Sequence, residues 1–113
     1  MASSNTASIS FPYPPDQLHR ASYDTLIEIC APASVIANVP TVTGRTAISW
    51  KTFGEDIFLQ VSTGQQGSAL TITSKSMLPT QVIDFGAHRR NVAKIVDALQ
   101  RRLGPGQMLA PLD

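Results

Sequence analysis

Between Asp56 and Lys75 apolar and polar residues alternate, and that pattern limits the fold more than any other feature of the chain. Ile57, Leu59 and Val61 fall on one side of an extended backbone, with Gln60 and Ser62 on the other. Past the turn Gly64-Gln65-Gln66-Gly67, Leu70 and Ile72 alternate with Thr71 and Thr73 in the same way. A period of two with polar residues at every second position describes antiparallel strands, one face on a core and one in water. The preceding "GRTAISWKTFG" repeats the pattern, setting Ile48 and Trp50 against Ser49 and Lys51. "ASVIANVPTV" adds a β-branched run that Pro40 restricts to a place near a sheet edge. Gly44 and the Gly54-Glu55-Asp56 turn complete the punctuation of a four-strand meander.

Two helical patterns flank the meander. In "PPDQLHRASYDTLIEIC", Pro14 and Pro15 suit the mouth and first turn of a helix, where a missing N–H costs little. Asp16 lies near the positive end of its dipole. Leu18, Ala21, Leu26, Ile29 and Cys30 recur at three-four spacing, Asp24 and Glu28 occupy another face, and Pro32 ends the helix. Near the C-terminus, Val92, Ile95, Val96, Leu99 and Leu103 form one apolar stripe, with Arg90, Lys94, Asp97 and Arg101 away from it. Arg101 and Arg102 meet the negative dipole end, and Gly104-Pro105-Gly106 stops the helix. Upstream of both, "SISFPY" (Ser8–Tyr13) places Ile9, Phe11 and Tyr13 on one side of an exposed edge strand closed by proline.

These elements predict an α+β fold. An antiparallel sheet of four to five strands is expected, in the order short strand, helix, four-strand meander, C-terminal helix, with both helices on one face. Residues 1–7 are expected to form a disordered leader, residues 8–104 a single domain and residues 105–113 a flexible tail. A chain of 113 residues can build one core without metal or disulfide staples.

The charged fraction of 15% is low and the net charge is +1, which argues against a general nucleic-acid or membrane-surface binder. The single cysteine, Cys30, rules out an internal disulfide, and its apolar neighbours Leu26, Ile27 and Ile29 predict a buried structural thiol. "MASSNTASIS" carries neither the basic nor the apolar region of a signal peptide, and no apolar run reaches the roughly 18–20 residues of a membrane span. A cytoplasmic location is expected.

The order "SISFPYPPDQLHRASYDTL", meander, long C-terminal helix resembles a reduced helix-grip arrangement, as in the lipid-binding START and Bet v 1 domains. The junction "PTQVIDFGAHRRNVAKIVDAL" is similar to one in small uncharacterised bacterial α+β domains, where an apolar-Asp-aromatic-Gly turn opens the last helix. The first likeness concerns topology and the second concerns the junction. Neither implies a catalytic residue.

The strongest pairing for chemistry is Asp84 with His88, four residues apart across a helix start, where an acid could orient an imidazole as general base. No nucleophile elbow or phosphate-binding loop accompanies them. A structural reading accounts for the same residues: Asp84 caps the helix and Gly86 permits the turn into it. His19 and His88 belong to different helices and lack a recognisable ligand set, so neither a metal nor a cofactor is expected. Arg89, Arg90, Lys94, Arg101 and Arg102 concentrate positive charge on the last helix, a possible anion or nucleic-acid footprint. Asp16, Asp24 and Glu28 on the first helix offer a complement, and a solvated face is the preferred reading.

The expected function is a non-catalytic binding module. It would engage a protein partner or small apolar ligand through a helix–sheet groove lined by Tyr23, Phe53, Phe58 and Met77, or through an exposed sheet edge. The edge strand Ser8–Tyr13 would also permit homo-oligomers. The alternatives are a small enzyme built on Asp84 and His88, or weak anion binding by the basic helix.

Overall fold

A computed structural model describes residues 4–46, 55–64, 67–76 and 87–110. Strand β1 (Ser4–Phe11) leads into helix α1 (Pro15–Ile29) and a short 3-10 turn (Pro32–Ser34). Strands β2 (Ile36–Asn38), β3 (Thr41–Arg45), β4 (Glu55–Gly64) and β5 (Gly67–Ser76) follow. Helix α2 (Ala87–Leu103) and strand β6 (Gln107–Ala110) complete the order. The fold is α+β, with one antiparallel sheet ordered β2-β3-β4-β5-β1-β6 and both helices on one of its faces.

Among the described residues the sheet has six strands rather than the expected four to five, and strands at the two ends of the chain add to the expected set. β1 starts at Ser4, not Ser8, and runs antiparallel to β5 from Ser4↔Lys75 to Phe11↔Ser68. Residues 4–7, expected to be a leader, are therefore strand. The inward row Ile9 and Phe11 extends back to Ala7, which is fully buried, and Ser and Thr at the alternate positions suit a pleated surface. The expected flexible tail likewise contributes β6, which pairs with β1 through Ser10↔Gln107 and Ile9↔Met108. With a neighbour on each side, β1 is an interior strand and not the predicted exposed edge. Among the described strands the edges are β2 and β6.

The run "ASVIANVPTV" becomes two strands. Proline has no N–H for the ladder, and the chain reverses at Val39–Pro40, so β2 and β3 pair through Ile36↔Thr43, Ala37↔Val42 and Asn38↔Thr41. The strand expected around Trp50 lies outside the described residues.

Period two sorts the sheet's faces. Ala7, Ile9, Phe11, Val42, Ile57, Leu59, Val61, Leu70 and Ile72 point toward the helices and are buried. Leu18 and Leu26 of α1 and Val92, Ile95 and Leu99 of α2 meet them, each fully buried. Burial of such a side chain contributes roughly 1.5–3 kcal/mol against its exposure in the unfolded chain. Ser22 and Thr25 also face this core. Their hydroxyls donate to the carbonyls of Leu18 (2.7 Å) and Ala21 (2.8 Å), which removes the cost of burying them.

Polar contacts tie the helices down. Glu28 of α1 accepts hydrogen bonds from Arg102 at 2.6 Å and Arg101 at 3.2 Å, so the acidic face of one helix answers the basic end of the other. The Tyr13 hydroxyl donates to the Leu103 carbonyl at 2.7 Å, satisfying an acceptor that the end of a helix leaves open. Gly104 follows with φ +86, its N–H on the Gln100 carbonyl at 2.8 Å, and stops α2 where its sequence predicts.

Candidate functional site

The sheet face turned away from the helices is open, and its residues fall into cross-strand rows. One row reads Ile36, Thr43, Phe58, Thr73, Thr6 across β2, β3, β4, β5 and β1. The next reads Asn38, Thr41, Gln60, Thr71, Ser8. Hydroxyl pairs Thr6–Thr73 and Ser8–Thr71 stand 3.5 Å apart, neighbours across the strands. Among the described residues of these rows charge enters at one end, where Arg45 and Asp56 form a 3.1 Å ion pair and Lys75 lies opposite Asp56. Elsewhere the described rows of this face carry neutral hydroxyl and amide side chains together with the large apolar Ile36, at 63% exposure, and Phe58, at 47%.

Ile36 belongs to β2, whose other side has no strand beside it among the described residues. Val39, in the turn that follows, is 77% exposed. The two most exposed large apolar residues described therefore sit within four positions of each other on a sheet edge. The opposite edge carries Met108 and Leu109, at 41% and 56%. Beside that edge, Ser10, Gly67, Ser68, Gly106, Gln107 and Leu109 are among the residues lining an open depression of about 680 Å³, with no charged residue among the described ones in its wall.

Of the four predicted groove residues, the two described ones, Tyr23 and Phe58, lie on opposite sides of the sheet. Phe58 alternates with Ile57 and Leu59 and so projects from the open face, away from both helices. Tyr23 is on α1, on the other side of the sheet, 37% exposed. Phe53 and Met77 lie outside the described residues. Where helices and sheet meet, Leu18, Leu26, Ile57, Leu59, Ile72, Ile95 and Leu99 are fully buried against one another.

Asp84 also lies outside the described residues, as do the side chains of His88, Arg89 and Arg90 in the first turn of α2. Of the basic face, Lys94 is exposed, whereas Arg101 and Arg102 are engaged by Glu28. That engagement, through the Arg101 hydrogen bond first, holds the Glu28 carboxyl below its ordinary range. His19 donates from Nε2 to the Thr41 carbonyl at 2.9 Å and so joins α1 to β3. Among the described residues no three His, Cys, Asp or Glu side chains converge as a metal site would require. Cys30 is buried, and desolvation pushes its thiol up to about 11, so the nucleophilic thiolate is scarce at neutral pH. Its sulfur packs over Gly44, where an added Cβ would come within 3.1 Å of it.

Glu55 escaped the sequence reading, which placed it in a turn. It opens the inward row of β4 and is 3% exposed, its backbone N–H on Thr46 Oγ1 at 2.8 Å. The parity of Ile57, Leu59 and Val61, extended back by one step, points to it.

Comparison with protein-family models, curated proteins and solved structures gave no match. No described helix is long and apolar enough to cross a membrane.

Proposed function

We propose that the protein is a non-catalytic binding module that engages a protein partner through the β2 edge and the adjoining row of its open sheet face. The exposure of Ile36 and Val39 on an edge strand carries this reading. An edge offers unpaired backbone N–H and C=O groups for an added strand, and flanking side chains give such an addition its specificity. Ile36 supplies one contact at the edge, and Phe58 extends the apolar surface two strands inward. The filled contact between helices and sheet supports a surface interaction over deep capture of a small ligand.

A photo-crosslinking side chain at Ile36 tests the proposal. In cell extract it should give a discrete adduct with one polypeptide, while the same group at Lys94, exposed on the helical side, gives none. Adducts from Lys94 with none from Ile36 would contradict it.

A further inference from the structure

We infer that the β2 edge is occupied by the β2 edge of a second copy of this chain, related by a two-fold axis, so that two six-stranded sheets continue as one. The inference rests on the reading of β2 as a binding edge and names its partner.

The first argument is charge. From Ile29 to Gly44 the chain carries no charged residue. A two-fold axis sets a strand against its own reverse, so any Lys or Glu on it would stand near its counterpart, and like charges across a ladder are destabilising. Natural edges often carry such charges as protection against self-pairing. β2 has none. Centred on Ala37, the pairing sets that small side chain against its counterpart and Ile36 of each copy against Asn38 of the other.

Direction provides the second argument. Every neighbouring pair in the sheet is antiparallel. A two-fold axis perpendicular to the sheet makes the new pair antiparallel as well, and it keeps both helical layers on one side. The junction therefore continues the existing pattern without a break.

Third, the other edge differs. β6 is also apolar, but its register with β1 shifts between Ser8 and Ile9. Such irregularities bend and twist a strand, which spoils it as a template. All three β2 residues pair in regular register with β3. Three residues from each copy form a small contact, so the dimer is weak and concentration-dependent.

Sedimentation of the purified chain over a wide concentration range is the test. A reversible monomer–dimer equilibrium is expected, and Ile36→Lys should weaken it about tenfold or more, because it removes the apolar contact at the edge and sets two lysines diagonally across the two-fold axis. Because Ile36 is exposed, circular dichroism should show the variant folded. As a second measurement, Ala37→Cys in a Cys30→Ala background should form an oxidised dimer faster than Met108→Cys in the same background. A chain monomeric throughout with no preferential Ala37→Cys cross-link would overturn the inference, as would a dimer indifferent to Ile36→Lys. A monomer whose Ile36 photo-adduct joins a different polypeptide would remove the second copy while keeping β2 as a binding edge; a monomer with no adduct would remove both.

Discussion

Ile36 and Phe58 flank Thr43 in a single cross-strand row, on the sheet face that neither helix covers. Their exposure is not required by the fold, since the core is closed on the other face. Phe58→Thr should therefore change the free energy of unfolding by no more than about 1 kcal/mol, the span of strand preferences at exposed positions. Urea titration would show it, and a loss of several kcal/mol would mean that Phe58 is part of the core.

Leu99 is the contrasting case. It is fully buried in the α2 stripe, against the sheet's inward rows. Leu99→Ala should cost roughly 2–5 kcal/mol, the transfer of the lost atoms plus the cavity left behind. Denaturant unfolding monitored by circular dichroism measures it directly.

Tyr13→Phe isolates one hydrogen bond. The ring remains, and the Leu103 carbonyl loses its 2.7 Å donor. The expected loss is about 0.5–1.5 kcal/mol, with amide exchange quickening first in the last turn of α2.

The Glu28 cluster makes stability depend on pH in a stated direction. Its folded pKa is depressed below the ordinary 4.5, chiefly by the hydrogen bond from Arg101. A depressed carboxyl stabilises fully above its unfolded pKa and loses that contribution as pH falls through the folded value. The difference in Tm between the wild type and Glu28→Gln should accordingly be steady near neutrality and close in acid below pH 4.5. High salt should narrow it at every pH, because the cluster is exposed.

Cys30 reports opening of the fold. Buried, with its thiol raised to about 11, it should resist alkylation in the native protein and react when denaturant exposes it. Rapid labelling without denaturant would show that the contact between Cys30 and Gly44 opens readily.

The helices and the faces of β4 and β5 are written in local periodicity, which is why Leu18, Leu26, Val92 and Leu99 could be placed from their spacing. Strand order is another matter. β1 pairs with β5 across most of the chain, and nothing near Ser4–Ala7 announces so distant a partner. β6 is harder still, because Gln107–Ala110 has no β-branched residue. Its place is fixed by Gly106 packing close over Ile9 and Phe11, a contact the sequence does not display. Phe58 is expected in the helix–sheet groove on its aromatic character, although it shares parity with Gln60 and Ser62, and that alternation sets it on the open face. The place of Ile36 was not legible, since its exposure depends on β2 having a neighbour on one side only among the described strands.

Amide exchange of β2, read residue by residue at several protein concentrations, tests the central claim most directly. If β2 is a pairing edge for a second copy, protection within Ile36–Asn38 should rise with concentration, and Ile36→Lys should abolish the rise while β6 stays unchanged. Protection that is independent of concentration at β2, or that rises at Gln107–Ala110 instead, would contradict the account.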